Sequence, residues 1–322
     1  MAKKLLERAV RGAAPGNFAM VMATGIVSAA LRQAGSREPS EALLWLAAAA
    51  FGVLTLAAAA RAAAFPAEVR GDLMRTDRVF SYFAFPAAAS VLGSDSGQHQ
   101  AAAALAVATA LAWLAVTCAV ISTGTAERWP VRHAAGSWEL WVVGTQATAI
   151  AATTAAVPAG VAVAVWSAGV VLYALVTAMV VTRLLVAGLG PDDPFAPYWV
   201  TMGAASITVL AATQVLPGPR GGPVLTDMAL IFWSVATGLI PVLIVAGAAR
   251  RLRRPGKPRF RRELWMISFP CGMYALASMR LGDAAGRPLI HDIGAALAWP
   301  AAAVWALVFA GMVTALPRSL RR

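Results

Sequence analysis

Charge is scarce in this sequence. Only 13% of its 322 residues are Asp, Glu, Lys or Arg, about half the roughly 25% of an average soluble domain. So few charges cannot cover a water-facing surface. With 59% hydrophobic residues, a soluble globular protein and a disordered chain are both excluded. Cysteine is nearly absent. Cys118 and Cys271 are the two, both in apolar stretches, so they read as small buried hydrophobes without a redox or metal role. Catalytic groupings are missing as well. No His-Glu-x-x-His, no Ser/His pair and no paired aspartates fall on an apolar segment. Nor does any ionisable residue fall clearly at the middle of one: Glu139, Asp227 and Glu263 lie at segment starts, and His99, His133 and His291 near ends or in loops. An intramembrane enzyme needs a base, a nucleophile or a metal cluster, and a proton relay usually needs carboxylates inside the membrane. Neither is expected here, nor is a metal or cofactor.

What is present suits a bilayer. Mean hydropathy is +0.68, and ten apolar segments are each about long enough for a membrane helix: 15–34, 42–64, 78–94, 101–122, 137–156, 159–187, 197–216, 226–248, 263–282 and 290–315. Turn and charge signals separate them, such as Gly35-Ser36-Arg37-Glu38-Pro39, Gly93-Ser94-Asp95-Ser96-Gly97 and Pro217-Gly218-Pro219-Arg220-Gly221-Gly222-Pro223. The shortest break is Val157-Pro158-Ala159-Gly160, where one long kinked helix is the alternative reading. The stretch Lys3 to Leu31 reads as a retained first span, not a signal peptide, because only further spans follow. The expectation is a single all-α transmembrane domain over 1–322, with cytoplasmic tails at 1–14 and 317–322 and a basic cytoplasmic loop at 249–262.

Net charge is +12. In a membrane protein a basic excess marks cytoplasmic loops more often than a nucleic-acid partner. With the N-terminus inside, all 27 Lys and Arg fall on the cytoplasmic side except Arg32, Arg37, Arg220, Arg280 and Arg287. That asymmetry places both termini in the cytoplasm and supports an even number of spans.

The odd-numbered spans each carry a helix-weakening residue near the middle: Gly25, Pro86, Gly144, Gly203 and Pro270, spaced by 61, 58, 59 and 67 residues. The even spans are smoother runs of Ala, Val and Leu. This suggests five helical hairpins of about 60 residues, each with one special helix. Kinked helices often line substrate paths, while small residues also simply let helices approach. Both readings stand for Gly144 and Gly203. The polar residues of the special helices, Asn17, Thr24, Ser28, Thr145, Gln146, Thr148, Thr201, Ser206 and Thr208, either hydrate a conduit or bond between helices, and for a single Ser or Thr the second reading is favoured. Gln146 is the most informative, since a buried amide must find partners. A neutral lining with basic cytoplasmic mouths suits an anion path, although for the run Arg250–Arg262 the orientation signal alone is the stronger reading.

The ninth span carries Leu264-Trp265-Met266-Ile267-Ser268-Phe269-Pro270-Cys271-Gly272-Met273-Tyr274. It resembles the Trp…Phe-Pro-Leu-Gly-Met-Tyr motif of the tellurite-resistance/C4-dicarboxylate transporter family, which includes the plant guard-cell slow anion channels. Asn17 to Ile26 resembles that family's first helix, with Ala23 where Gly is usual. Pro197 to Ala204 resembles its seventh, and Phe232-Trp233 through Ile240-Pro241 its eighth. The resemblance implies ten helices as five hairpins in quasi-five-fold arrangement around a central pore, in a homotrimer. It implies that Phe269, held at the Pro270 kink, gates the pore; from the sequence alone an ordinary packed Phe is the favoured reading. Cys271 stands where the family often has Leu, beside that constriction. The candidate pore lining is Phe18, Met22, Thr24, Gly25, Phe85, Pro86, Gly144, Gln146, Met202, Gly203 and Met273. The expected function is a channel or channel-like transporter passing small inorganic or carboxylate anions across the cytoplasmic membrane. The alternatives are a proton-coupled C4-dicarboxylate (malate-type) carrier and a tellurite-resistance exporter.

Overall fold

The computed structural model describes residues 7, 10–12, 14–95, 99–127, 133–155, 157–190, 193–215, 222–253 and 260–320. The cytoplasmic charges expected at Lys3, Lys4, Arg8, Arg128, Arg132, Arg321 and Arg322 and at 254–259 of the basic loop, and the outside charge Arg220, lie outside these residues. The described chain contains helices and no strand.

Two kinds of helix alternate. Five are short: α1 (Phe18–Gln33), α4 (Ala84–Asp95), α6 (Glu139–Thr154), α8 (Trp199–Val215) and α10 (Trp265–Ala285). Five are long: α2 (Arg37–Ala64), α5 (His99–Glu127), α7 (Ala159–Ala187), α9 (Gly222–Arg253) and α11 (Pro288–Leu320). The remaining one, α3 (Pro66–Leu73), is a brief connector. Sequence explains the division. The long helices are Ala, Val and Leu runs, and each contains a stretch long and apolar enough to cross a membrane. They are also largely uncovered by protein, with Trp45 75%, Leu185 81% and Leu307 74% exposed. Apolar surface on this scale would not persist in water, so lipid is its solvent and the protein is integral to a membrane. The short helices are almost wholly buried. At 1.5 Å per residue, the 12 residues of α4 rise about 18 Å, less than the roughly 30 Å hydrocarbon core. Burial within protein permits this, because neighbouring helices can satisfy their ends.

The short helices pack in a closed cycle, α1 on α4, α4 on α6, α6 on α8, α8 on α10, and α10 back on α1. Each long helix covers two members of that cycle: α2 lies on α1 and α4, α5 on α4 and α6, α7 on α6 and α8, α9 on α8 and α10, α11 on α10 and α1. A 3₁₀ turn precedes every short helix, at Pro15–Asn17, Val79–Phe83, Gly136–Trp138, Ala196–Tyr198 and Arg262–Leu264, and these five turns also contact one another in a cycle. All five short helices therefore start at one end and run in parallel.

Two details correct the sequence reading. The weakening residues are not all at mid-span. Pro86 is the third residue of α4, where no i−4 bond is lost, and Pro270 is the sixth of α10, where the i−4 bond to the Met266 carbonyl is the one removed. The long helices are not free of proline either, since α9 continues through Pro241. The break at 157–160 is a true turn: α6 ends at Thr154 and α7 starts after Pro158.

On the side where the short helices begin, α3 is held by ions. Asp72 accepts from Arg61 at 2.7 Å and from Arg78 at 2.6 Å, and the side chains of Asp72 and Arg61 are each only 9% exposed. Burial opposes the charge on Asp72, but the two guanidinium hydrogen bonds outweigh it and hold the carboxyl below the usual range.

Candidate functional site

The glycines of the cycle are contact points. A Cβ on Gly25 would lie 2.7 Å from Val91 of α4, and one on Gly144 2.6 Å from Phe83 just before α4. On Gly203 it would lie 2.9 Å from Pro270 Cγ and 3.2 Å from Phe269 Cε1 of α10. On Gly272 it would meet Val27 and Ile26 of α1. Close approach is thus the direct role of Gly25, Gly144 and Gly203.

Four of the five short helices are bonded to long helices through tryptophan. Trp113 of α5 donates to Thr145 of α6, Trp166 of α7 to the Thr208 carbonyl of α8, Trp233 of α9 to Ser278 of α10, and Trp305 of α11 to Thr24 of α1. Several sequence candidates belong to this outward face. Thr24 is engaged by Trp305 at 2.9 Å. Gln146 donates to the Trp166 carbonyl at 3.3 Å, and its amide fills the space left by Gly169; its Oε1 lacks a hydrogen-bond partner. Phe18 and Phe85 form an aromatic cluster with Phe51 of α2. Pro86 is buried at the start of α4, its carbonyl 3.4 Å from Thr109 of α5. Met202 is buried, its sulfur 3.6 Å from Ser206 Oγ. The side chains of Thr24, Gln146, Phe18 and Phe85 are therefore interhelical, which is where single polar groups in membrane helices usually find partners.

The inward face is marked by a cavity of about 220 Å³. All five short helices contribute to it and no long helix does: Ile26, Ala29, Arg32 and Gln33 from α1; Ser90, Val91 and Ser94 from α4; Ala147, Ile150 and Thr154 from α6; Ile207, Leu210 and Gln214 from α8; and Met273, Leu276 and Arg280 from α10. The i, i+3, i+7 spacing on four helices is one face of an α-helix. The cavity lies toward their C-terminal ends, apolar inside and polar at the mouth. One turn back along the same face come Met22, Ala87, Val143, Gly203 and Phe269. Met22, Val143 and Phe269 are 0% exposed, and Phe269 sits against Gly203. Met273 lines the cavity floor, also fully buried.

Of the candidates, Met22, Gly203, Phe269 and Met273 fall on this inward face. The sequence reading missed Arg32, Arg280, Gln33 and Gln214, because the two arginines had served only as loop charges; the spacing 273, 276, 280 held the signal. It also passed over Glu139. Although at a helix start, its side chain is fully buried, with Oε1 accepting from Thr177 of α7 at 2.7 Å and Oε2 unpartnered. The hydroxyl of Tyr173, one turn earlier on α7, is likewise buried without a partner.

Among the described residues no cluster of His, Cys, Asp or Glu has the makings of a metal site. Two uncharacterized membrane proteins of Mycobacterium tuberculosis, MT1776 (strain CDC 1551 / Oshkosh) and Rv1735c (strain ATCC 25618 / H37Rv), are each 36% identical to this chain over 157 residues, which is 47% of this chain and 80% of the relative. A family model described as voltage-dependent anion channel matches residues 13–313. With the axial cavity, the apolar exterior and this match over nearly its whole length, the chain belongs to the SLAC1 family of anion channels and transporters.

Proposed function

We propose that the protein is an anion channel whose single pore runs along the axis of the short-helix cycle, with Phe269 as its gate and Pro270 setting the ring's position. Ten helices cross the membrane as five hairpins in quasi-five-fold arrangement, and α3 stays outside the bilayer. The observation that carries the reading is the axial cavity lined by all five short helices and ending at the buried layer of Met22, Ala87, Val143, Gly203 and Phe269. An aromatic ring in a narrow apolar passage stops hydrated ions by sterics and dewetting. Sign selectivity has a source in the backbone. Five helix N-termini converge at one mouth, each equivalent to about half a positive charge; the caps of α1, α6 and α10 make no side-chain hydrogen bond, and Glu139 is the acidic residue in the first turn of α6. The permeant species are small inorganic or carboxylate anions. The basic flanks support a cytoplasmic location for that mouth and both termini, and the protein is read as a homotrimer in the cytoplasmic membrane.

The test is chloride, nitrate and malate flux in proteoliposomes under an imposed voltage without a pH gradient, wild type against Phe269→Ala. A large rise in the variant supports the gated pore; equal flux sinks the gate. One observation favours a second reading. Glu139 is a fully buried carboxyl group, and such groups often mark proton-linked transport. A proton-coupled dicarboxylate carrier would take up malate only with a proton gradient and would lose that dependence in Glu139→Gln. Tellurite export is measured in the same vesicles with tellurite as the anion.

A further inference from the structure

The two mouths of the helix cycle are electrostatically opposite. At the end where the five short helices start, the backbone presents partial positive charge. At the cavity end their C-termini converge, each equivalent to about half a negative charge. Left to the backbone, that mouth would repel anions. The cavity wall there carries Arg32 from the last turn of α1 and Arg280 from α10, one turn before its end, and no Asp or Glu is among the lining residues. Two full positive charges are comparable with the roughly two and a half negative charges that five helix ends supply.

The hydrogen-bonding groups divide in a way that favours an anion. Ser90 donates to the Ala147 carbonyl, Ser94 to the Ser90 carbonyl and Thr154 to the Ala151 carbonyl, so these hydroxyl protons are committed to the backbone. Gln33 donates to Asp283 at 3.0 Å, and Asp283 also pairs with His291 at 2.7 Å, so the carboxylate adjoining the wall is itself engaged. Arg32 Nε lies 3.4 Å from Ser40 Oγ, which steadies that side chain at the rim. The strong cationic donors bordering the cavity are the guanidinium groups, whose planar forks suit oxyanions and carboxylates. The cavity, at about 220 Å³, is smaller than the roughly 300–1,000 Å³ of drug-sized sites and fits a compact anion.

We propose that Arg32 and Arg280 make this vestibule an anion-binding site for one compact oxyanion or monocarboxylate, which loads the pore from the C-terminal side. The proposal rests on the pore reading above, and its consequence is one-sided: the opposite mouth has its own positive backbone and does not depend on these arginines.

The experiment uses Phe269→Ala channels in planar bilayers, where current rectification reports the orientation of each channel, with nitrate as the probe. Adding Arg32→Gln and Arg280→Gln should raise the half-saturating nitrate concentration from the vestibule side by about tenfold per arginine, the ratio for one charged hydrogen bond at the weak end of its range. It should leave the other side unchanged, and Lys at both positions should recover the part of the loss that is due to charge but not the part due to the forked guanidinium geometry. Equal half-saturation with and without the arginines, or an equal change on both sides, overturns the site. If Phe269→Ala conducts no anion, the pore reading fails instead, and the site is decided by nitrate titration of melting temperature in detergent. Stabilisation of wild type but not of the double Gln variant upholds it; identical titrations overturn it.

Discussion

Replacing Gly203 with alanine tests the proposed gate while leaving the Phe269 side chain itself unchanged. The added methyl carbon would sit 2.9 Å from Pro270 Cγ, 3.2 Å from Pro270 Cβ and 3.2 Å from Phe269 Cε1. Comfortable carbon–carbon contact is about 3.5–4.0 Å, so the overlap with proline is at least about 0.6 Å. Pro270 cannot swing away, because its ring is closed on the backbone. Either α8 and α10 separate or the Phe269 ring leaves its place. Overpacking of this kind costs about 1–3 kcal/mol. If that cost falls on the closed arrangement and is relieved in the open one, each ~1.4 kcal/mol is a tenfold shift in the closed–open ratio. Chloride flux through Gly203→Ala should then rise on the order of tenfold, accompanied by a lower melting temperature. Gly144→Ala is the matched control. Its methyl would lie 2.6 Å from Phe83 Cδ1, an equally severe clash away from the inward face, and it should lower stability without raising flux. A Gly203→Ala protein that is destabilised but conducts like wild type would refute the coupling between this contact and the gate. So would Gly144→Ala matching its flux.

Three further outcomes follow from particular bonds. Trp305→Phe removes the hydrogen bond to Thr24 and should cost about 0.5–1.5 kcal/mol in a melting experiment with the anion ranking unchanged; an altered ranking would return Thr24 to the pore. Thr177→Val strips the buried Glu139 carboxyl group of its hydrogen-bond donor and should destabilise by about 1–3 kcal/mol, with Thr177→Ser recovering most of it. Asp72→Asn leaves the buried Arg61 without its charge partner and should cost about 3–5 kcal/mol. The sign with pH is fixed by the same pair. The Asp72 carboxyl is held below its usual range in the folded protein, so its stabilisation is present above about pH 4 and is lost as pH falls through the depressed value. Melting temperature should drop on acidification in wild type and less steeply in Asp72→Asn.

The membrane class, the helix positions and the alternation of two helix kinds were legible in the sequence, because each is a local property: hydropathy over some twenty residues, turn residues between runs, and arginine bias at the flanks. The family was legible through the Phe269-Pro270 segment and its companions. Which face of each short helix looks inward was not. Thr24 and Gln146 are polar residues within the short helices, yet both are committed outward because Trp305 and the Trp166 carbonyl lie there, and those partners belong to other helices. Arg32 and Arg280 looked like loop charges until α1 and α10 were brought together around one cavity. Glu139 looked like an ordinary residue of a helix start, and only the packing of α7 over it made it a buried carboxyl group. Periodicity fixes which residues share a face. Which face meets lipid, protein or the axis depends on contacts between helices far apart in sequence, and only the closed packing of the five short helices decided it.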